Sequence, residues 1–187
     1  MQRQPQRHYS VDEYFAVEAG SPIKHEYCNG EIFAMAGASV AHNDITANVV
    51  GTLRLSLRGT SCRAFGNDLR LLTPGGLYTY PDVLVICGRI TLTPDRPDTV
   101  TNPVLLAEVL SDATRDYDRG EKFTLYKALP TLREYLLIEQ NQVGVDHFQR
   151  QDSGAWTMTS YDRLTTLVSL VSIPVQLPLS EIYRDVF

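Results

Sequence analysis

The sequence is poor in cysteine, and none of the three, Cys28, Cys62 and Cys87, stands in a CxxC pair. That spacing excludes a zinc cluster, and the odd count argues against a disulfide framework. The expectation is three small apolar side chains in a reducing compartment. Long apolar runs are missing too. The clearest one near the middle, Val104 to Ala107, resumes only at Val109 and is far too short to span a bilayer. Met1 to Ser10 is polar and basic with no hydrophobic stretch behind it, so no secretory signal is expected; the expected location is the cytoplasm, away from membranes. Repeats and low-complexity segments are absent. So are a Walker loop, a Rossmann glycine pattern, an HExxH pair and a Ser-His-Asp motif, which removes the commonest enzymes with local signatures. Positive charge is also short: 17 Lys and Arg against 22 Asp and Glu give a net charge of −5. Tight nonspecific binding of nucleic acid rests on cations neutralising phosphates, so it is disfavoured. A nuclease is not excluded, because an acidic metal site adds negative charge that the ion offsets.

What is present suits one domain spanning residues 1–187, with 43% apolar and 21% charged residues. Ser10-Val11-Asp12-Glu13 is a capping box, which predicts a short helix ending at Gly20. Asn29-Gly30 between two short runs predicts a hairpin. From Val40 to Arg58, Ile45, Val49, Leu53 and Leu57 recur every fourth position, the mark of an amphipathic helix closed by Gly59. Asp82 to Cys87 and Val104 to Leu110 are nearly continuous apolar runs, as in strands buried on both faces with helices covering the sheet. Gly88 to Pro103 between them reads as a polar loop. Asp118 to Leu129 reads as a helix stopped by Pro130, followed by an antiparallel meander and a short C-terminal helix. The fold class is α/β, a mixed sheet flanked by helices.

Two acids stand where acids are costly. Asp82 opens one buried strand and Glu108 lies inside another. An ionised carboxylate there needs a cation or strong donors. If the strands are neighbours, both carboxylates can hold a hard cation such as Mg2+. Glu108 could equally pair with an internal Arg or Lys. Lys122 shares a helix face with Asp118 and Tyr126. It could orient an attacking water or stabilise charge growing on a phosphate, or be a surface lysine paired with Asp118. His42, on the face of Ile45 and Val49, could contact a phosphate or be a hydrogen-bonded core residue. Asp68, at the head of a strand, and Glu31, after the Asn29-Gly30 turn, are further acids that could reach the site or simply serve their turns. Basic residues cluster twice, Arg54, Arg58, Arg63 and Arg70, then Arg115, Arg119, Lys122, Lys127 and Arg133; a solvated surface is the commoner meaning of such clusters.

Several stretches in fixed order carry a family resemblance. They are Glu26-Tyr27-Cys28-Asn29-Gly30-Glu31-Ile32, His42, Tyr80-Pro81-Asp82-Val83, Asn102-Pro103-Val104, Glu108-Val109-Leu110-Ser111, Tyr117-Asp118-Arg119-Gly120-Glu121-Lys122-Phe123 with Tyr126, and Leu132-Arg133-Glu134-Tyr135. From about Ser10 to Trp156 the chain resembles the Uma-two-type restriction endonucleases of the PD-(D/E)XK superfamily. The resemblance implies a restriction-endonuclease-like central mixed β-sheet flanked by α-helices and a magnesium-dependent phosphodiesterase site, with Mn2+ as a substitute ion. Asp82 matches the motif aspartate and Glu108 the motif acid. The motif lysine should stand two residues later, where this chain has Leu110; Lys122 on the following helix matches the position to which that lysine moves in the resembling family. The expected activity is cleavage of DNA with Asp82, Glu108 and Lys122 catalytic. A homodimer would suit cutting of both strands. The alternative is a catalytically inactive module of the same fold that binds nucleic acid or a protein.

Overall fold

The computed structural model describes residues 7–35, 37–94 and 96–187. Helix α1 (Val11–Gly20) starts as its capping box requires: Ser10 Oγ accepts the Glu13 N–H at 3.2 Å and Glu13 Oε2 accepts the Ser10 N–H at 2.8 Å. Strands β1 (His25–Cys28) and β2 (Glu31–Ala34) form the expected hairpin. Its turn needs positive φ at two successive residues, 50° at Asn29 and 88° at Gly30. Helix α2 (Val40–Ser56) is capped by Ser39 and buries Ile45, Val49 and Leu53, the stripe read from the sequence.

The rest of the chain is richer in strands than its pattern suggests. β3 (Cys62–Gly66), β4 (Arg70–Leu72), β5 (Tyr78–Thr79) and β6 (Val83–Cys87) come first. The segment read as the polar loop Gly88 to Pro103 contains β7 (Leu92–Thr93) and β8 (Arg96–Val100), and β8 pairs in parallel with β4. Its three prolines mask the strands, since a proline reads as a breaker unless it sits at an edge. β9 (Leu105–Leu110) follows. The predicted helix 118–129 is two, α3 (Arg115–Arg119) and α4 (Glu121–Lys127), broken at Gly120, where φ is −106° and ψ −94°. Then come β10 (Glu134–Glu139), β11 (Val145–Arg150) and β12 (Trp156–Tyr161), the predicted meander. The hairpin of β13 (Leu167–Leu170) and β14 (Val175–Pro178), with α5 (Leu179–Ile182), ends the described chain.

Two six-stranded sheets form instead of one. The first runs β2-β1-β5-β4-β8-β7 and the second β12-β11-β10-β9-β6-β3, where β9 and β10 are parallel and the other neighbours antiparallel. The second sheet is covered twice. On one face α2, the β13–β14 hairpin and α5 pack on Val83, Val85, Leu105, Ala107, Leu136 and Ile138. On the other, α4 and the first sheet pack on Leu84, Leu106, Leu110, Tyr135 and Leu137. Coverage on both sides is why β6, β9 and β10 are apolar throughout. No helix among the described residues is long and apolar enough to cross a membrane.

One expectation about cysteine is corrected. Cys62 and Cys87 are directly opposed in the β3–β6 ladder, with Cα atoms 3.9 Å apart, and form a disulfide. Spacing in the sequence could not show this, because strand register alone brings residues separated by 25 positions together. Cys28 is a free, buried thiol.

The C-terminal hairpin is tied to the second sheet by a buried charge. Glu134, fully buried, accepts the N–H groups of Val171 at 2.9 Å and Ser172 at 2.8 Å, the Ser172 hydroxyl, and sits 2.8 Å from His147 Nε2. Burial works against its charge, but these donors outweigh it and hold the carboxyl below its ordinary value of 4.5. A carboxyl that is a stronger acid folded than unfolded stabilises the fold above about pH 4.5, and that contribution fades as pH falls through the folded value. Glu134→Ala should therefore cost about 3–5 kcal/mol in urea unfolding at neutral pH, and less in acid, with faster amide exchange across residues 167–178. An unchanged midpoint at neutral pH would refute this anchor.

Candidate active site

The register of β6 and β9 puts Val83 opposite Ala107, so Asp82, just before β6, stands opposite Glu108, inside β9. Directly opposed residues of an antiparallel pair point to the same face, here the face of Leu84 and Leu106. Each acid holds a backbone N–H of the other strand segment. Asp82 N–H donates to Glu108 Oε2 at 3.3 Å, and Val109 N–H donates to Asp82 Oδ2 at 2.8 Å.

Lys122 reaches Glu108 from α4. Its Nζ lies 3.1 Å from Glu108 Oε1, 3.3 Å from Asp118 Oδ1 and 3.0 Å from Glu26 Oε1. Glu108, Asp118 and Lys122 are 4%, 3% and 5% exposed, so this lysine is interior and not a surface residue. Both readings of Glu108 thus meet in one arrangement: it pairs with an internal lysine and also faces Asp82. Tyr126 Oη donates to the same Glu108 oxygen at 2.6 Å. Asp118 and Lys122 keep the i,i+4 pairing although the helix breaks between them at Gly120, where a Cβ would stand 3.0 Å from the Asp116 carbonyl.

The electrostatics follow from burial. Desolvation pushes Glu108 well above the ordinary carboxylate range; the Lys122 ammonium opposes that, and Asp82 and Asp118 add to it. Asp118 is raised for the same first reason. Burial works against the Lys122 charge, but Glu108, Tyr126, Glu26 and Asp118 outweigh it and hold its pKa well above normal. His42 arrives from α2 on the other side of the strand end. Its Nε2 lies 3.2 Å from Asp82 Oδ2, and its Nδ1 is buried without a hydrogen-bond partner. Burial disfavours the imidazolium, but the Asp82 contact wins and raises its pKa.

Two candidates fall outside. Asp68 lies in the turn before β4, 90% of its side chain exposed, and pairs with Lys24. Glu31 stands opposite Cys28 in the hairpin and makes no ion pair with the cluster among the described residues. The acid that does belong is Glu26, which was not singled out. It sits in a four-residue strand too short to show alternation, and its other partner, Thr79, lies in the two-residue β5. Of the basic clusters, Arg70 is buried against Tyr80, and Arg115 and Arg119 pair with Glu139.

The donor set suits a hard divalent cation. Asp82 Oδ1 has no hydrogen bond among the described residues, and Glu108 Oε2 has only the long 3.3 Å contact. Among the described residues no three acid, histidine or cysteine groups are arranged as a metal cage. Magnesium commonly takes one or two carboxylates and keeps its waters, so two oxygens suffice.

Known proteins share this arrangement of chain. The Uma2 profile, described as "Putative restriction endonuclease", matches residues 11–180. The chain belongs to the Uma2 family. Two relatives are from Synechocystis sp. (strain ATCC 27184 / PCC 6803 / Kazusa). "Uncharacterized protein sll1609" is 38% identical over 148 residues, 79% of this chain and 84% of its own length. "Uncharacterized protein slr1290" is 36% identical over 178 residues, covering 94% and 91%. A crystal structure from Anabaena variabilis ATCC 29413, titled as a putative nuclease belonging to DUF820, superposes with a TM-score of 0.73 at 18% identity, over 89% of this chain and 93% of that one. It shows the fold, a mixed α/β arrangement of sheets flanked by helices as expected.

If Tyr126 serves Glu108 as described, Tyr126→Phe should lower stability by about 1.5–3 kcal/mol, the worth of a hydrogen bond to a charged group. Asp68→Ala should stay within about 0.5 kcal/mol of the parent, as for an exposed side chain away from special features. Thermal melts of both variants check this pair; a costly Asp68→Ala would contradict its place outside the site.

Proposed function

We propose that this Uma2 protein is a metal-dependent endonuclease that hydrolyses phosphodiester bonds of DNA, with Asp82 and Glu108 as the ligands of Mg2+, or of Mn2+ in its place. The observation that carries the reading is that these two carboxylates stand opposite each other, Asp82 just before β6 and Glu108 inside β9, each keeping an oxygen free or nearly free of hydrogen bonds. When bound, the cation supplies an activated water and a counter-charge for the phosphate.

The protein's own groups do the positioning. The Val109 N–H and His42 fix Asp82 Oδ2, which leaves Oδ1 to face the ligand. Tyr126 and Lys122 fix Glu108 Oε1 in the same way, turning Oε2 toward Asp82. The Asp82 contact favours the protonated form of His42, beside the place where a phosphate would arrive. With a net charge of −5, attraction to nucleic acid must be local to this mouth and to the bound ion. Cleavage of both strands would use a two-fold pair of chains. The reading also places the protein in the cytoplasm, where the reducing thiol pool would act on Cys62 and Cys87.

The test is cleavage of plasmid and single-stranded DNA across Mg2+ and Mn2+ concentrations. Asp82→Ala combined with Glu108→Ala should reduce metal-dependent cleavage by at least about 100-fold, because the metal's ligands are gone. Asp68→Ala should cut as the parent does. Equal cleavage by parent and double variant would assign the activity to another site. No cleavage by the parent, together with no metal bound in calorimetry, would leave the Uma2 fold here as a binding module.

A further inference from the structure

An ammonium group has three N–H donors and no more. Lys122 has three carboxylates within reach, one each from Glu26, Glu108 and Asp118, at 3.0, 3.1 and 3.3 Å. Glu26 comes from β1, Glu108 from β9 and Asp118 from α3, so the three acids surround the ammonium from separate elements. All three acids lie within ion-pair distance of the one ammonium, whose side chain is 6% exposed, so its charge is taken up inside the protein. We infer that Lys122 is the resident cation of a three-carboxylate cage, a positioning residue that fills the place of a second divalent ion and restricts the site to one.

The inference rests on the metal reading of Asp82 and Glu108 for its first ion, but its own observation is separate. Carboxylate oxygens are the ligand type a divalent ion takes, although with the ammonium among them no three acid, histidine or cysteine groups of the described residues are arranged to hold one. Two-metal phosphodiesterases hold their ions about 3.5–4 Å apart, so a shared carboxylate usually bridges them. Glu108 is placed to be that bridge: Oε1 faces Lys122 and Oε2 faces Asp82. What occupies the inner position in this chain is an ammonium supplied by α4. Asp118 Oδ1 is buried and lacks a well-aligned hydrogen bond although Nζ is 3.3 Å away, so the cage closes on the lysine imperfectly.

Removing the ammonium should open the inner position to an ion. Mn2+ is titrated by calorimetry into the parent, Lys122→Ala, and Lys122→Ala carrying Glu26→Gln, with Asp82→Asn as the control for the outer ion. The expected result is one ion per chain in the parent and two in Lys122→Ala, the second lost again with Glu26→Gln. If the parent binds none and Lys122→Ala binds one, the cage inference stands and the reading of Asp82 as a metal ligand falls. One ion in both proteins, none in both, or two in the parent would each overturn the inference. Should Lys122→Ala not fold in metal-free buffer, its far-ultraviolet circular dichroism is followed as Mn2+ is added. Recovery of folded signal that Glu26→Gln abolishes supports the cage, and no recovery overturns it.

Discussion

The ammonium of Lys122 is the one positive charge that three buried carboxylates share, and the two sheets of this fold meet around it. Glu26 belongs to the first sheet, Glu108 to the second, and Asp118 and Lys122 to the short helices between them. Apolar packing of Leu71, Leu77 and Val100 against Leu84, Leu106 and Leu110 supplies the bulk of the attraction between the sheets. Packing alone is tolerant of small shifts. Four charged groups from four elements are not, because removing or misplacing one partner leaves a buried charge uncompensated. The cluster therefore sets the register of one sheet on the other.

The same cluster explains why the site can be acidic without falling apart. Carboxylates in a low-dielectric pocket repel, and burial already pushes Glu108 and Asp118 toward their neutral forms. Lys122 offsets this on the inner side, while the outer side is left to Asp82 and His42. Charge is thus divided by depth. The inner acids are matched by the Lys122 ammonium, and Asp82 keeps one oxygen without a hydrogen bond among the described residues.

Much of this was legible in the sequence, and the limits have physical causes. Asp82 and Glu108 stood out because an acid in an apolar run has to be explained. The helix stripe of α2 and the Asn29-Gly30 turn follow from local periodicity and backbone geometry, which a sequence displays directly. Long-range register is not displayed. It brings Cys62 against Cys87, parallel β8 against β4, and Glu26 against Lys122, and each depends on how strands far apart in the chain align. Lys122 shows both sides of this. Its spacing from Asp118 and Tyr126 was readable as a helix face, and the pair with Asp118 is real. Spacing alone could not tell that the face is interior, or that the helix breaks at Gly120.

Asp82 is fixed from behind as well as from across the sheet. The residue two before it, Tyr80, accepts from Arg70 Nε at 2.8 Å and Nη2 at 2.6 Å, and donates to Glu18 Oε2 at 2.5 Å. Glu18 also sits 2.9 Å from His25, and Arg70 reaches Asp98 at 3.1 Å. This second buried network joins α1 to the first sheet and ends at the Tyr80-Pro81-Asp82 turn. Proline fixes φ at Pro81, so an anchored Tyr80 leaves little freedom to the residue after the ring. Asp82 then meets the Val109 N–H on one oxygen and His42 on the same oxygen. A ligand oxygen useful to a metal must be held within a fraction of an ångström by groups that are themselves immobile. Here the immobility comes from two charge networks at opposite ends of a three-residue segment, one gathered on Lys122 and the other on Arg70. That is how the Asp82 carboxylate is held inside the chain, where an ionised group costs the most.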